Sequence, residues 1–128
     1  MDVTIIVVSF QARDLIGPCL DSIPGSTRRP REVIVVDNAS ADGTADFVSS
    51  LDVTLIRNPS NRGFAAAVNQ GLDLARGRFV LLLNPDARLS EGSLDVLIDF
   101  LEARPDCGIA APQLLHEISR GPNEFIDG

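Results

Sequence analysis

Short apolar runs alternate along this chain with longer stretches in which apolar residues recur every three or four positions. The runs at 3–8 (VTIIVV), 32–36 (EVIVV) and 79–83 (FVLLL) show no polar alternation, the pattern of strands buried on both faces of a parallel sheet. Residues 52–57 have strand composition through Val53, Leu55 and Ile56, and 108–111 reads as a last short strand. Helical spacing fills the gaps. An Asp14 cap leads into Leu15, Ile16, Cys19, Leu20 and Ile23, with Pro24-Gly25 as the stop. Asp42 precedes a short helix at 44–50. After Gly63 come Phe64, Val68, Leu72 and Ala75 on one stripe, with Gly77 as C-cap. Ser90 opens a helix whose inner face is Leu94, Leu97, Ile98 and Leu101, ending before Pro105. Strands alternating with helices imply right-handed βαβ units. The expected class is α/β, a Rossmann-like, mostly parallel sheet flanked by helices. Past Pro112 no usable period remains, so the chain divides into a domain at 1–115 and an irregular tail at 116–128. An architecture of this kind calls for a further layer, and the chain reads as cut short.

Composition narrows the function. At 128 residues and 45% hydrophobic content the chain can build one real core without staples. Its formal net charge of -7 argues against sequence-independent binding to nucleic acid or to an anionic membrane. It leaves room for an anionic small ligand, because backbone dipoles and a bound cation act locally. Cys19 and Cys107 stand far apart in no metal or redox spacing and read as small buried apolar groups. The apolar N-terminus lacks a basic flank and reads as a strand, not a signal peptide. The three arginines at 28, 29 and 31 read as a solvated loop. A cytoplasmic protein is expected, with peripheral contact at the inner face of the membrane left to regions beyond this stretch.

The chemistry gathers where strands end. Three loops, 9–13, 37–44 and 84–88, leave the carboxyl ends of predicted strands, which in an open α/β sheet form one ligand-binding rim. Asp37 and Asp86 are carboxylates at such ends, suited to a cation or a ribose hydroxyl. Taken singly, Asp37-Asn38 is also an Asx-turn, and Asn84 and Asp86 are also turn or cap residues. Their shared rim favours a site. Pro85 should stop its strand. The chain has no Gly-x-Gly-x-x-Gly after the first strand, no P-loop and no Gly-x-Ser-x-Gly elbow. Its one histidine, His116, lies in the tail and gives a Ser-His-Asp triad little support.

Four stretches occur in order: VVSF (7–10), VVDNASADGT (35–44), NRGFAAAVNQGL (61–72) and LLNPDA (82–87). Together they resemble the inverting family-2 glycosyltransferases, and among these the bacterial rhamnosyltransferase-like members, with VDNAS and NPD where others have VDDGS and DxD. The resemblance runs from residue 3 to about 115. It implies a GT-A fold, a nucleotide-diphosphate-sugar donor (UDP- or dTDP-linked, rhamnose among the sugars), Mg²⁺ or Mn²⁺, and transfer with inversion to a saccharide or lipid-linked acceptor, a hexosyltransferase-class activity. Carried over by position, it sets Ser9 and Phe10 beside base and ribose, and Asp37 and Asn38 at a uracil- or thymine-type base. The Asn38 carbonyl is then the acceptor for a pyrimidine N3–H. Asn61, Gly63 and Phe64 would line the donor pocket, with the following helix aimed at the diphosphate. Asp86 stands at the last acid of DxD as the metal ligand, with Asn84 at the first. The family's catalytic base lies in the second half of its domain, and no residue here is assigned that role.

Two other functions stay open on the same residues: a nucleotide-sugar-binding module or inactive fragment without turnover, and a domain that has lost its ligand and serves as an assembly surface. Sugar transfer separates the first from the enzyme, and saturable nucleotide binding separates the second. With the fold's second half missing, an open sheet edge is expected to drive self-association into homodimers or larger species.

Overall fold

A computed structural model of the chain describes residues 1–113, 115–117 and 125–127. Four parallel strands, β1 (Val3–Ser9), β2 (Arg31–Asp37), β3 (Thr54–Arg57) and β4 (Phe79–Leu82), form one sheet in the order β3-β2-β1-β4. The register sets Val3 beside Arg31 and Ser9 beside Asp37, so β1 and β2 end level with each other. On its other side β1 pairs Ile6 with Leu82.

Strand periodicity sorts the core into two faces. Val3, Ile5, Val7 and Val35 point to one face, where they meet Ile16, Cys19 and Leu20 of α1 (Ile16–Asp21) and Ile23 of α2 (Ile23–Ser26). Val48 of α3 (Thr44–Ser49) and Leu94 and Ile98 of α5 (Ser93–Ala103) complete that cluster. Ile6, Ile34 and Val36 point the other way and are covered by Ala67 of α4 (Phe64–Leu74). Helix α4 packs chiefly on β1 and β2. Over β4 the second face is open, and Val80 and Leu82 are 41% and 49% exposed. The expectation of burial on both faces therefore fails for β4, which is also the outermost strand.

Other differences have local causes. Pro24-Gly25 does not end a helix but lies within α2, Pro24 tolerated in the first turn, and Leu15, expected inside, is 53% exposed. Helix α5 starts at Ser93, not Ser90, because Gly92 takes a left-handed φ of 71° and gives its N–H to the Gly25 carbonyl at 2.9 Å. On α4 the inward stripe is Ala67, Val68 and Gly71, while Phe64 and Leu72 face solvent. Gly77 does not cap α4. It lies against the start of β1, where a Cβ would stand 2.5 Å from the Thr4 nitrogen. Residues 108–111 form no strand, and Ile109 is 89% exposed. Cys107 is only half-buried, and both cysteines are free thiols. Arg29 is no solvated side chain: it pairs with Asp2, Asp99 and Glu102. In the tail, expected to be irregular, β5 (Leu115–Glu117) and β6 (Phe125–Asp127) pair antiparallel as a separate sheet.

Candidate functional site

The carboxyl rim of the sheet is built from the loops that follow β1, β2, β3 and β4. Its centre is a buried knot around Asp37. The Ser9 hydroxyl donates to Asp37 Oδ1 at 2.8 Å, and the Ser40 hydroxyl donates to the same oxygen at 2.7 Å. The Ser40 N–H donates to Oδ2 at 3.0 Å, and Asp37 is 2% exposed. A carboxylate so shielded stays in place because charge-assisted bonds replace its lost hydration. Here Asp37 welds the ends of β1 and β2 and shapes the loop between β2 and α3.

That loop is zipped to the β1–α1 loop. Gln11 and Ala39 adopt left-handed φ values of 51° and 64°, uncommon for residues with a Cβ. Cross-loop bonds hold them: Gln11 N–H donates to Ser40 Oγ at 2.8 Å, and Ala41 N–H donates to Gln11 Oε1. Arg13 N–H donates to Asp42 Oδ2 at 3.1 Å, and the Arg13 guanidinium stacks 3.9 Å above the Phe47 ring. Such strain, fixed by surrounding bonds, gathers where a backbone path has a task.

Asn38 ties in the β3–α4 loop. Its Nδ2 donates to the Gly63 carbonyl at 3.2 Å, and its Oδ1 accepts from Arg62 N–H at 3.3 Å and from Asn58 Nδ2 at 3.0 Å. Both lone pairs of that oxygen are thus in use. The Asn38 side-chain oxygen, expected to meet a base N3–H, is engaged within the fold. Asn61 accepts the Gly63 N–H at 2.9 Å. Gly63 itself has φ 83° and ψ 172°, a region essentially closed to other residues, so its requirement is conformational.

The loop after β4 is pinned from below. The Cys19 thiol donates to the Asn84 carbonyl at 3.4 Å, and Leu89 N–H donates to Ser22 Oγ at 2.9 Å. Burial first, and then the charge of nearby Asp86, push the Cys19 thiol up to about 11, so it is an inert neutral donor. Asn84 and Asp86 are exposed on this anchored loop. Phe10 and Phe64, 53% and 58% exposed, present rings at the ends of β1 and at the start of α4.

The residues singled out in the sequence therefore divide. Ser9, Asp37 and Asn38 are framework, while Phe10, Asn61, Phe64, Asn84 and Asp86 are accessible. Sequence reasoning assigned no role to Gln11, Ser40, Asn58 or Gln70, although Gln11 and Ser40 lie in the rim loops and Gln70 in the 61–72 stretch it singled out. Among the described residues no three His, Cys, Asp or Glu side chains gather around one point. One carboxylate with an amide oxygen beside it suits an Mg²⁺-type ion, which completes its shell with phosphate oxygens and water. A cleft of about 750 Å³ lies at the opposite, amino end of the strands among Met1, Asp21, Arg31, Asp52 and Arg76. Open α/β sheets bind ligands at the carboxyl end, where the polar loops converge here, so the rim is the candidate site.

This is the GT-A arrangement, a Rossmann-like, mostly parallel sheet with flanking helices. The glycosyl transferase family 2 model matches residues 4–122, and the chain belongs to that family. It is 30% identical to the putative teichuronic acid biosynthesis glycosyltransferase TuaG of Bacillus subtilis, over 80% of this chain and 42% of TuaG. S. aureus TarS in complex with UDP matches with a TM-score of 0.72 at 26% identity, over 82% of this chain and 33% of that one. The mannosyltransferase PcManGT from Pyrobaculum calidifontis, in complex with GDP-Man and Mn2+, matches with a TM-score of 0.67 at 34% identity, over 77% of this chain and 32% of that one. The chain thus spans less than half the length of each of these relatives.

Proposed function

We propose that this chain is the donor-binding half of a glycosyltransferase that moves a sugar from a nucleotide diphosphate, UDP or dTDP, to a saccharide or lipid-linked acceptor with inversion. Rhamnose is the sugar that the NPD and VDNAS stretches favour. The observation that carries this reading is the rim: around a buried Asp37 knot stand accessible groups, Phe10, Phe64, Asn84 and Asp86, on the loops after β1, β3 and β4. The likeness to TarS with UDP and to a mannosyltransferase with GDP-Man and Mn2+ supports the ligand class. TuaG's role in teichuronic acid biosynthesis supports a cell-envelope polysaccharide as the context.

In this reading the exposed rings of Phe10 and Phe64 pack on base and ribose. Asn61 and Gly63 set the path of the chain at the donor pocket, and the α4 N-terminus faces the diphosphate. Asp86, with Asn84 offering an amide oxygen on the same loop, would hold Mg²⁺ or Mn²⁺. When bound, that ion supplies charge neutralisation to the leaving diphosphate. The base that takes the acceptor's proton belongs to the part of the relatives' length that this chain does not span. Among the described residues no helix is long and apolar enough to cross a membrane. We place the protein at the cytoplasmic side, with membrane contact peripheral.

Calorimetric titration of UDP, dTDP and GDP, with and without Mn2+, tests the assignment. One nucleotide should bind in a metal-dependent way, and Asp86→Ala should weaken it at least tenfold while leaving the fold intact. Metal-independent binding, or an Asp86→Ala variant that binds normally, would overturn the metal assignment. Saturable binding without sugar transfer across a donor and acceptor panel would favour the binding-module reading.

A further inference from the structure

We propose that Gln70 and Asn58 are positioning residues of the donor site, acting through Asn38 to fix the 58–63 loop. The inference rests on the donor-site reading above. Its basis is a relay of three side-chain amides whose orientations follow one from another.

An amide side chain has a donor end and an acceptor end of nearly equal shape, so its neighbours must decide which way it lies. For Asn38 two backbone groups decide. The Gly63 carbonyl can only accept, and it sits 3.2 Å from Nδ2; the Arg62 N–H can only donate, and it points at Oδ1 over 3.3 Å. With Oδ1 so placed, the group of Asn58 that meets it at 3.0 Å must be Nδ2. That same Nδ2 donates its second hydrogen to Gln70 Oε1 at 2.7 Å, and Gln70 Nε2 returns a bond to Asn58 Oδ1 at 2.9 Å. The reciprocal pair leaves Asn58 one orientation. Its backbone N–H is also committed, to the Asp37 carbonyl at 2.9 Å.

Three amides in a confined space are a poor way merely to fill it. Asn38 and Asn58 are 3% and 7% exposed, and apolar side chains of similar volume would avoid their desolvation. What amides add is direction. Gln70 lies in the middle of α4, and through Asn58 and Asn38 it holds the loop that leads into that helix. The loop and the helix start carry Asn61, Gly63 and Phe64, three of the proposed donor-pocket residues. The side-chain hydrogen bonds of Gln70 go to Asn58 and not to any of these three.

The test pairs nucleotide affinity with hydrogen exchange in the free protein. Gln70→Ala improves helix propensity and removes a half-buried side chain, so the variant folds. It should weaken Mn2+-dependent binding of whichever of UDP, dTDP or GDP the wild type takes by about five- to tenfold, the scale of one lost ordering hydrogen bond. In an Asn38→Ala background the same change should cost less than about twofold, because the relay is already cut. Exchange of the Arg62 amide should accelerate in Gln70→Ala while that of Val35, in β2, stays as it was. Additive losses in the double variant, or unchanged Arg62 exchange with wild-type binding intact, overturn the relay. If the wild type binds none of the three nucleotides, the donor-site reading itself has failed, and the inference falls with it.

Discussion

Replacing Asp37 by asparagine tests whether this carboxylate is framework or ligand group. The side chain keeps its size, so the effect is electronic. Two hydroxyl donors, from Ser9 and Ser40, converge on Oδ1, and the Ser40 N–H meets Oδ2. If the oxygen of the introduced amide keeps the two hydroxyls, each bond loses its charge assistance, about 1 kcal/mol apiece. The new NH₂ then faces the Ser40 N–H, leaving two donors opposed at a cost of about 1–3 kcal/mol. The sum is about 3–5 kcal/mol, a large share of the roughly 5–15 kcal/mol typical of a domain. For a chain of this size that lowers Tm by roughly 10–25 °C. The chain has no Trp and no Tyr, so unfolding in urea is best followed by far-UV circular dichroism. The midpoint should fall with the slope unchanged. Ser40→Ala, which removes one donor and frees the Gln11 N–H, should cost about 1–2 kcal/mol. A loss below about 1 kcal/mol in Asp37→Asn, with nucleotide binding abolished, would show that Asp37 acts on the ligand and that the knot is incidental.

Gly77→Ala should be destabilising near or above the upper end of the ~1–3 kcal/mol range for overpacking. Its Cβ would meet backbone on all sides, 2.5 Å from Thr4 N, 2.6 Å from Val3 C and 2.8 Å from Phe79 O. Gly25→Ala, with nothing within 4 Å, is the control and should be neutral or slightly stabilising by thermal melts. The Thr27 hydroxyl and then the Arg28 N–H hold the Asp95 carboxyl below its usual range. Its contribution is complete above the ordinary aspartate value of about 3.9 and is lost as pH falls through the lower folded value. Asp95→Asn should therefore be less stable than wild type near neutrality, and the gap should narrow in acid denaturation profiles below about pH 4. Val80 and Leu82 on the outermost strand should drive self-association, so Leu82→Lys should shift sedimentation toward monomer. A wild type that sediments as a monomer at all concentrations would refute it.

The framework was legible because its signals are local. β-Branched runs without polar alternation mark β1 and β2, and their register put Ser9 and Asp37 side by side as the rim argument required. The end of β4 at Leu82, ahead of Pro85, agrees with an equally local signal, since Pro85 has no N–H to donate. Tertiary influence explains what was missed. Ser90 looked like a helix cap, but the bond from Gly92 to Gly25 sets the helix start from across the fold. The run in β4 promised two buried faces, yet burial depends on what lies over the strand, and α4 packs chiefly on β1 and β2. At the site, residue types were readable and their division of labour was not. Nothing in VDNAS tells that its Asn spends its carbonyl on Asn58 and Arg62, because that follows from a partner twenty residues away. Gln70 lay inside the 61–72 stretch, but as one polar residue in the middle of a helix it could not be told apart as a partner of Asn58.

The cleft at the amino end of the strands matters for anyone seeking inhibitors. It offers a compound about 750 Å³ between Met1, Arg31 and Arg76, far along the strands from Phe10 and Asp86. A small molecule lodged there would raise the melting temperature by mass action as surely as a donor analogue would. It would leave nucleotide affinity untouched. Thermal-shift hits on this protein therefore fall into two populations, and competition against bound nucleotide is what sorts them.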